Sequence, residues 1–174
     1  MDFCDLKKAC PKYNFPTPFI DHIIDECAGC EFFSFMDGFS GYNQIQIKPK
    51  DQHNTTFICP WGTFAYKKMD FGLKNVGATF QRAMSFTFHD LKHIVEAYLD
   101  DLVSCSYKIY DHPTHLRLIF ERCHCYQIRL NPNMCSFFVT SGCLLGFIVS
   151  KKGIMVDPLK VEAIVQFPPL CIVP

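Results

Sequence analysis

Two adjacent carboxylates, Asp100 and Asp101, stand inside the apolar run "AYLDDLV". Like charges in contact repel, and burying them without a partner is costly or forces one of them to keep its proton. The pair therefore indicates either a solvent-facing turn or a site that binds a cation. Because Mg²⁺ prefers oxygen ligands and is held by carboxylates together with substrate phosphates, magnesium is the cation that this site would take.

A third carboxylate, Asp37, ends the apolar run "EFFSFMD", which predicts a buried strand. The runs "HIVEAY" and "DLVSCS" predict a hairpin with the Asp pair at its bend. Over residues 32–140, apart from an inserted hairpin, the predicted order is strand, helix, two strands, helix, strand, the split β-α-β-β-α-β arrangement. Its first strand neighbours the central hairpin, so Asp37 is expected beside Asp100 and Asp101. Three such carboxylates could hold two metal ions for an in-line phosphoryl transfer.

The remaining predicted elements follow from hydrophobic periodicity and turn residues. Strict alternation in "YNQIQIK" predicts a half-buried strand, and "PWG" predicts the turn of a hairpin. The first thirty residues predict an extended lead-in with a short amphipathic segment at Ile20–Glu26. Near the C-terminal end the sequence predicts a strand at "SFFVT", a hairpin at "CLLGFIVSKKGIMV" and a helix at "DPLKVEAIVQF".

Two longer segments have helical spacing of their apolar residues. The first, "KNVGATFQRAMSFTFHDL", has Asn75 as a candidate N-cap. The second, "HPTHLRLIFERCHCYQ", has Thr114 as a candidate cap. Its predicted buried stripe consists of Leu116, Ile119, Phe120 and Cys123.

The composition is that of one folded domain. The chain has 174 residues, 49% of them hydrophobic, and 18 are Phe, which excludes a disordered chain. The formal net charge is zero, so charge alone does not indicate nucleic-acid binding, although a local basic patch can act within a neutral chain. No apolar run approaches the length of a membrane span and the N-terminus has no secretory leader, so no membrane partner is expected.

Eleven cysteines without regular spacing indicate reduced thiols in an intracellular protein. A zinc site would need two regularly spaced ligand pairs, and only Cys27 and Cys30 form one. The other candidates are Cys123, His124, Cys125 and Cys135. Ordinary core and surface thiols are therefore the favoured interpretation. His112 and His115 could form a metal pair, but a capped, solvated helix end is favoured there.

Six blocks of the chain, in order, resemble the reverse transcriptase domain of the Pol polyprotein of gypsy-class LTR retrotransposons, especially plant elements. The resemblance covers essentially the whole chain, and the blocks are specific jointly rather than singly. They are "DFCDLKKACPKYNFPTPFID", "FSFMDGFSGYNQI", "TTFICPWGTFAYKKMDFGLKNVGATFQRAM", "YLDD", "LNPNMCSF" and "LLGFIVSKKGI".

This resemblance implies DNA synthesis on RNA or DNA templates with two Mg²⁺ ions, or Mn²⁺ in their place. It implies an α+β polymerase palm with the split core and a partial fingers subdomain, and without thumb or RNase H. Fingers would occupy residues 1–30 and 43–72, palm 31–42 and 73–142, and a primer-grip hairpin 143–156. The implied partners are an RNA or DNA template, a DNA or RNA primer, dNTPs and the rest of the Pol polyprotein, in the cytoplasm or a virus-like particle.

The resemblance also implies roles for individual residues. Asp37, Asp100 and Asp101 would be catalytic and bind the metal ions. Tyr42 would be a steric gate against the ribose 2′-hydroxyl, although an ordinary core tyrosine is an equal alternative. Nucleotide contacts would come from Gly38, Phe39, Ser40, Gly41, Tyr42, Phe71, Gly72 and Gln81. Primer and template contacts would come from Tyr98, Leu99, Leu145, Gly146 and Phe147.

Four positions depart from the family pattern: Cys4 replaces Arg, Lys7 replaces Asn, Asp70 replaces Pro and Met134 replaces Lys. The charge of Asp70 would repel a triphosphate, and Met134 cannot protonate a leaving pyrophosphate. Two hypotheses follow. The chain is a polymerase fragment, or it is a weakly active or inactive remnant that acts at most as a nucleic-acid-binding or structural module. The departures favour weak or no activity for the chain alone.

Overall fold

The elements of the protein are taken from a computed structural model that describes residues 3–167. The five α-helices of this part are α1 Cys4–Ala9, α2 Ile20–Glu26, α3 Val76–Thr87, α4 His112–Cys125 and α5 Pro158–Val165. The strands are β1 Phe32–Asp37, β2 Phe57–Cys59, β3 Gly62–Phe64, β4 Glu96–Tyr98, β5 Asp101–Ser106, β6 Ser136–Val139, β7 Ser141–Leu144, β8 Phe147–Ser150 and β9 Gly153–Val156.

A four-stranded antiparallel sheet in the order β4-β5-β1-β6 forms the centre of the protein. With α3 following β1 and α4 following β5, this is the predicted split β-α-β-β-α-β arrangement, and the α+β prediction is confirmed. The β1–β5 register runs without a break from Phe32 opposite Ser106 to Asp37 opposite Asp101. This register brings the ends of two distant segments together.

Both faces of the sheet are buried, because successive side chains of a strand point to opposite sides. On one face Met36 and Leu102 pack with residues of α3 and α4 such as Phe80 and Ile119. On the other face Phe33 and Val103 pack with residues of α2, β7 and β8, namely Ile23, Ile24, Leu144 and Val149. Because β1 has apolar side chains on both faces of the sheet, its sequence is a continuous apolar run without alternation.

Two smaller sheets flank the centre. The hairpin predicted around "PWG" is present as β2 and β3. The predicted C-terminal hairpin is present as β8 and β9, and β7 adds a third strand to it. Helix α5 begins directly afterwards, with Asp157 accepting a hydrogen bond from the Leu159 N–H at its N-cap. No helix within residues 3–167 is long and apolar enough to cross a membrane.

The strand predicted at "YNQIQIK" is wrong. The chain instead forms a 3₁₀ helix over Gly41–Gln44, after Ser40 takes a left-handed conformation with a φ of 49°. The Gln44 side chain is not a solvent-facing strand residue, because its amide bonds the backbone of Phe39 and Arg129. Pairing is limited to one bridge between Gln46 and Lys68 before a second 3₁₀ helix begins at Pro49.

The N-terminal lead-in contains a helix, α1, that the prediction of an extended chain missed. Asn75 occupies the predicted N-cap position of α3, but its side chain bonds the backbone of Tyr13 and Pro11 instead of its own helix. It thereby ties the lead-in to α3.

Helix α4 differs from its prediction at three positions. Its N-cap is Asp111, and Thr114 lies inside the helix. Phe120 is 41% exposed and so is not part of the buried stripe. His112 is fully buried rather than solvated, and both of its ring nitrogens bond serine hydroxyls, those of Ser34 and Ser106.

The cysteines considered for zinc are divided between two places. Cys27 and Cys30 belong to the core on the α2 side of the sheet, and Cys123 belongs to the core on the α3 and α4 side. Cys125 is exposed. The two halves of the hypothetical zinc site therefore lie on opposite faces of the sheet.

Candidate active site

The three carboxylates singled out in the sequence lie together at one end of the central sheet. Asp37, the last residue of β1, pairs with Asp101, the first residue of β5. Asp100 lies in the two-residue turn between β4 and β5, and its carbonyl oxygen accepts a hydrogen bond of 2.9 Å from the Gly38 N–H. The expected position of Asp37 beside the Asp pair is confirmed.

Asp100 is the most perturbed of these residues. Its Oδ1 atom is buried and makes no hydrogen bond to any described residue. Burial, followed by the charges of Asp37 and Asp101, raises the pKa of Asp100 to about 6. Burial and the charge of Asp37 also raise the pKa of Asp101. No described cationic side chain offsets the mutual repulsion of these carboxylates, as the raised pKa values of Asp100 and Asp101 indicate.

An unpartnered carboxylate oxygen among three carboxylates fits a hard cation such as Mg²⁺. Within residues 3–167, no group of three or more His, Cys, Asp or Glu side chains is arranged to enclose an ion. Magnesium is usually held by only one or two carboxylates together with substrate phosphates, rather than by a cage made wholly of protein. The residues present therefore fit an ion that binds together with a phosphorylated substrate.

Gly41 gives the Asp100 carboxylate the space that it occupies. A Cβ atom at this position would collide with the Asp100 carboxylate and would approach the ring of Phe80 at 3.0 Å. Gly41 itself is buried. The turn after β1 therefore needs a residue without a side chain at this point.

Tyr42 is the middle ring of three aromatic residues that connect the core to the surface. Its ring meets Phe71 and Phe80 edge-on, at centroid distances of 5.1 and 5.3 Å. Phe80 is 2% exposed and Phe71 is 58% exposed. Burial and the nearby Asp100 charge raise the pKa of the Tyr42 hydroxyl. Tyr42 therefore packs partly in the core and lies close enough to Asp100 to sense its charge.

Gln81 lies beneath the hairpin turn and is fully buried. Its Nε2 donates to the Ala97 carbonyl at 3.0 Å, and its Oε1 accepts from the Leu99 N–H at 2.8 Å. Leu99 has a φ of 52°, a left-handed conformation that is strained for a residue other than glycine. These two bonds hold the strained turn, so Gln81 acts on Asp100 through the backbone; its spacing along α3 gave no signal of this contact.

A cavity of about 220 Å³ opens beside Asp37 and Asp101. Leu145 lines it from the turn between β7 and β8, where Leu145 and Gly146 have φ values of 50° and 86°. Two successive positive φ values are typical of a tight hairpin turn. Phe147, the next residue, packs against the α2-side core. Of the predicted primer contacts, Leu145 thus shares a cavity with the two paired carboxylates.

A larger cleft of about 850 Å³ lies behind the turn that follows Asp37. Phe39 and Ser40 line it together with Lys68, His124 and Arg129, and none of its described lining residues is acidic. Gln44 fixes this cleft through bonds of 2.7 Å to the Phe39 carbonyl and 2.9 Å to the Arg129 carbonyl. The sequence did not indicate this cleft, because its lining residues come from three segments that meet only in the fold.

Residues 2–149 match the family described as reverse transcriptase (RNA-dependent DNA polymerase). The chain belongs to this family. Its predicted relationship to gypsy-class retrotransposons is confirmed by curated relatives. The chain is 32% identical over 174 residues to the retrovirus-related Pol polyprotein from transposon gypsy of Drosophila melanogaster, covering 99% of this chain and 17% of that protein.

Two further relatives show how much of each related protein the chain spans. The Pol polyprotein from transposon 297 of Drosophila melanogaster is 32% identical over 170 residues, which cover 97% of this chain and 16% of that protein. The RNA-directed DNA polymerase homolog of Oenothera berteroana is 36% identical over 125 residues, which cover 70% of this chain and 88% of that protein. The chain thus spans about one sixth of the Pol polyproteins that it matches.

Solved structures share the reverse transcriptase fold. The foamy viral protease-reverse transcriptase in complex with an RNA/DNA hybrid has a TM-score of 0.82 at 15% identity, over 97% of this chain and 23% of that one. A second structure of that enzyme, in complex with double-stranded DNA, has a TM-score of 0.87 at 15% identity, over 97% of this chain and 30% of that one. These likenesses confirm the polymerase fold.

Two positions at which this chain departs from the family pattern have a structural setting. The Asp70 carboxylate accepts a hydrogen bond of 2.9 Å from the Phe71 N–H and also bonds the Tyr66 side chain. Its charge is therefore partly engaged by its neighbours. Met134 is 66% exposed and lines the cavity that also contains Asp37 and Asp101. The apolar side chain thus lies at the place where the family pattern has a lysine.

Proposed function

We propose that this chain is the polymerase part of a retrotransposon Pol polyprotein and adds nucleotides to a primer on an RNA or DNA template. The observation that carries the proposal is the convergence of Asp37, Asp100 and Asp101, with the Asp100 Oδ1 atom buried and unpartnered. Membership of the reverse transcriptase family supports the reaction class. The remainder of the polyprotein would contribute further contacts to the nucleic acid.

Asp37, Asp100 and Asp101 would hold two Mg²⁺ ions, or Mn²⁺ in their place. When bound, the ions supply charge for the phosphates and lower the pKa of the attacking primer hydroxyl. The chain's own contribution is electrostatic and geometric. The raised pKa of about 6 means that Asp100 keeps its proton in mildly acidic solution and releases it above that pH. The β1–β5 register holds Asp37 opposite Asp101.

The incoming nucleotide would lie against the turn after β1. Backbone groups of Gly38, Phe39, Ser40 and Gly41 would approach its phosphates, and Phe71 and Gly72 would contact nucleotide and template. Tyr42 would lie under the sugar and exclude a 2′-hydroxyl, and its edge-on packing against Phe80 supports a fixed ring position. Lys68 and Arg129 would attract the triphosphate, because they line the same cleft as Phe39 and Ser40.

Gln81 takes a different part from the direct nucleotide contact expected from the sequence. Because it is fully buried and bonds Ala97 and Leu99, we assign it to positioning of the Asp100 turn. Tyr98, Leu99, Leu145, Gly146 and Phe147 would face the primer. The shared cavity of Leu145 and Asp101 supports that placement.

The subdomain division remains a proposal as well. Fingers would comprise residues 1–30 and 43–72, palm 31–42 and 73–142, and the primer grip 143–156. The separate β2–β3 hairpin and the separate three-stranded sheet support boundaries near these positions.

Primer extension with Mg²⁺ and dNTPs on RNA and DNA templates tests the proposed activity. Wild type is expected to extend the primer, and Asp100→Asn to lose at least about 100-fold because it removes one metal-binding charge. Asp25→Asn, at an exposed position on α2, is the matched control and should retain full activity. Equal extension by wild type and Asp100→Asn would contradict the proposal.

A catalytically weak remnant is the second candidate, and Met134 favours it. A methionine beside Asp37 and Asp101 has no proton to donate to pyrophosphate, whereas a lysine ammonium group has one. Met134→Lys should therefore raise primer extension by about 10-fold or more, with template binding nearly unchanged. Template binding without extension in both proteins would favour the remnant.

A further inference from the structure

Three cysteine side chains meet near the end of the central sheet that lies opposite the carboxylates. Cys27 and Cys30 follow α2 and are each 1% exposed. Cys105 lies on β5 opposite Phe33 and is partly exposed, whereas Asp101 lies at the other end of the same strand. The two segments are far apart in sequence, so no spacing pattern indicates that they meet.

The three thiols share one region of the core. Cys105 packs against the core cluster that contains Cys27 and Cys30, and Cys30 and Cys105 line the same cavity. The Cys105 side chain raises the pKa of Cys30, which agrees with this proximity. The Cys105 Sγ donates to the Glu26 carbonyl oxygen at 3.6 Å, which fixes it toward the end of α2. Packing of Cys27 and Cys30 in the same core as Phe33 and Val103 holds the two partners in place.

A small cavity adjoins two of these three cysteines. It has a volume of about 120 Å³ and is lined by Cys30 and Cys105, together with Glu26, Tyr107 and His115. Cys27 does not line it. Cys105 is partly exposed and can therefore meet a thiol reagent from solvent, and Cys30 lines the same cavity.

We propose that Cys30 and Cys105 form a reversible disulfide by exchange with a small disulfide such as glutathione disulfide. The Cys105 sulfur attacks one glutathione sulfur, the glutathione S–S bond breaks, and one glutathione leaves as its thiolate. The Cys30 sulfur then attacks the Cys105 sulfur of this mixed disulfide and releases the second glutathione. Two protein thiols are oxidised, one glutathione disulfide is reduced to two glutathione molecules, and the two protons pass to the departing thiolates.

The bond would connect β5 to the segment that directly precedes β1. Strand β1 carries Asp37, and strand β5 carries Asp101. It would close a loop over residues 30–105 and restrict the unfolded chain, which stabilises the fold. Interaction with the neighbouring thiols, followed by burial and the Glu26 charge, raises the pKa of Cys105 to about 12 and also raises the pKa of Cys30. Exchange is therefore slow near neutral pH and faster in alkaline solution, because the thiolate is the attacking species.

The reduced chain, incubated with glutathione disulfide at pH 8.5 and then alkylated and digested with trypsin, tests the assignment. Residues 13–50 contain Cys27 and Cys30, and residues 93–108 contain Cys105. The expected product is a cross-link of these two peptides about 2 Da lighter than their sum, with fragment ions that place it on Cys30. The cross-linked protein should melt at least about 5 °C higher than the reduced protein.

Alanine variants separate the partners. Cys30→Ala and Cys105→Ala should abolish the cross-link, and Cys27→Ala should retain it. Cys123→Ala, which removes a buried thiol on the other face of the sheet, is the matched control and should also retain it. If a variant fails to fold, the fragment ions of the wild-type cross-link decide alone. A cross-link to Cys27, glutathione attached to Cys105 without a cross-link, or no reaction at either cysteine would overturn the proposal.

Discussion

Asp100 shows at the scale of a single residue how burial and neighbouring charge change a carboxylate. The sequence places it beside Asp101, but a pKa of about 6 depends first on its burial and then on Asp37 and Asp101. Gly41 makes this burial possible, since a side chain there would collide with the Asp100 carboxylate. Two predictions belong to this pair of residues.

Gly41→Ala is expected to displace the Asp100 carboxylate, because the added Cβ takes its space. Primer extension should fall by about 10-fold or more, and the free energy of unfolding by about 1–2 kcal/mol. Gly77→Ala on α3 is the matched control, since its Cβ would meet only Leu99, at 4.0 Å. That variant should be stabilised by up to about 1 kcal/mol and remain active. An active Gly41→Ala enzyme would show that the observed Asp100 position is not needed.

Asp100→Asn is expected to stabilise the protein in a pH-dependent way when no Mg²⁺ is present. The folded-state pKa of about 6 lies above the usual Asp value, so the contribution of Asp100 to stability is present below about pH 4 and lost as the pH rises through 6. At pH 8 the variant should be more stable by about 1–2 kcal/mol after allowance for solvent screening, and at pH 4 the two should be equal. Urea denaturation at both pH values measures this difference, and Mg²⁺ should reduce it by stabilising the wild type. A variant less stable than wild type at pH 8 would contradict the assigned repulsion.

At the scale of elements, the β4–β5 hairpin keeps its strained turn because α3 supplies Gln81 beneath it. The left-handed Leu99 precedes Asp100 directly, so the position of the carboxylate depends on a helix that begins more than twenty residues earlier. Helix α4 is joined to the sheet in a similar way, through His112 and two serines.

Gln81→Leu is expected to lower the free energy of unfolding by about 2–3 kcal/mol, because it leaves the Ala97 carbonyl and Leu99 N–H without partners. Primer extension should fall together with stability as the turn loosens. Chemical denaturation and the extension assay measure the two effects. Gln46→Leu, at an exposed position, should change stability by less than about 0.5 kcal/mol. Equal stability of Gln81→Leu and wild type would contradict the role of these bonds.

His112 is expected to make the protein less stable as the pH falls. Burial, and then the charge of His115, lowers the pKa of His112. The contribution of neutral His112 to stability is therefore fully present above the unfolded-state pKa of about 6.5, and it is lost as the pH falls through the lower folded-state pKa. The urea midpoint should drop between pH 7.5 and 5, and His112→Gln should flatten this slope. His124→Gln, at an exposed position on the same helix, should keep the wild-type slope. An unchanged slope in His112→Gln would assign the pH dependence to other groups.

At the scale of the whole molecule, the central sheet is covered on both faces, while α5 is exposed around its circumference. Leu159, Ile164 and Val165 are 73%, 74% and 77% exposed. Apolar side chains grouped in this way favour association in a soluble protein.

Replacing Leu159 and Ile164 with Gln is expected to raise the monomer fraction of the isolated chain and to lower its binding of an apolar dye. Sedimentation velocity over a concentration series measures the association. Leu118→Gln on α4, where the leucine is 40% exposed, is the control and should leave association unchanged. Equal association in all three proteins would show that α5 is not the responsible surface.

The order of elements and the family could be predicted from the sequence, because hydrophobic period and local motifs are properties of neighbouring residues. The paired β1 and β5 and the helix α3 follow from such patterns. The conformation after Ser40 could not be predicted, since the alternation of "YNQIQIK" indicated a strand. The chain forms a 3₁₀ helix over Gly41–Gln44, which the Gln44 side chain ties to the backbone of Phe39 and Arg129.

By itself, the sequence determined that four strands and two helices form a palm-like unit. It also determined that Asp37 lies beside the Asp pair in this unit. Only the tertiary structure decided that Asp100 is buried against Gly41, that Gln81 holds its turn, and that Cys30 and Cys105 line one cavity. The physical reason is distance along the chain. Burial, pKa and thiol proximity arise between segments separated by tens of residues, which only folding brings close to each other.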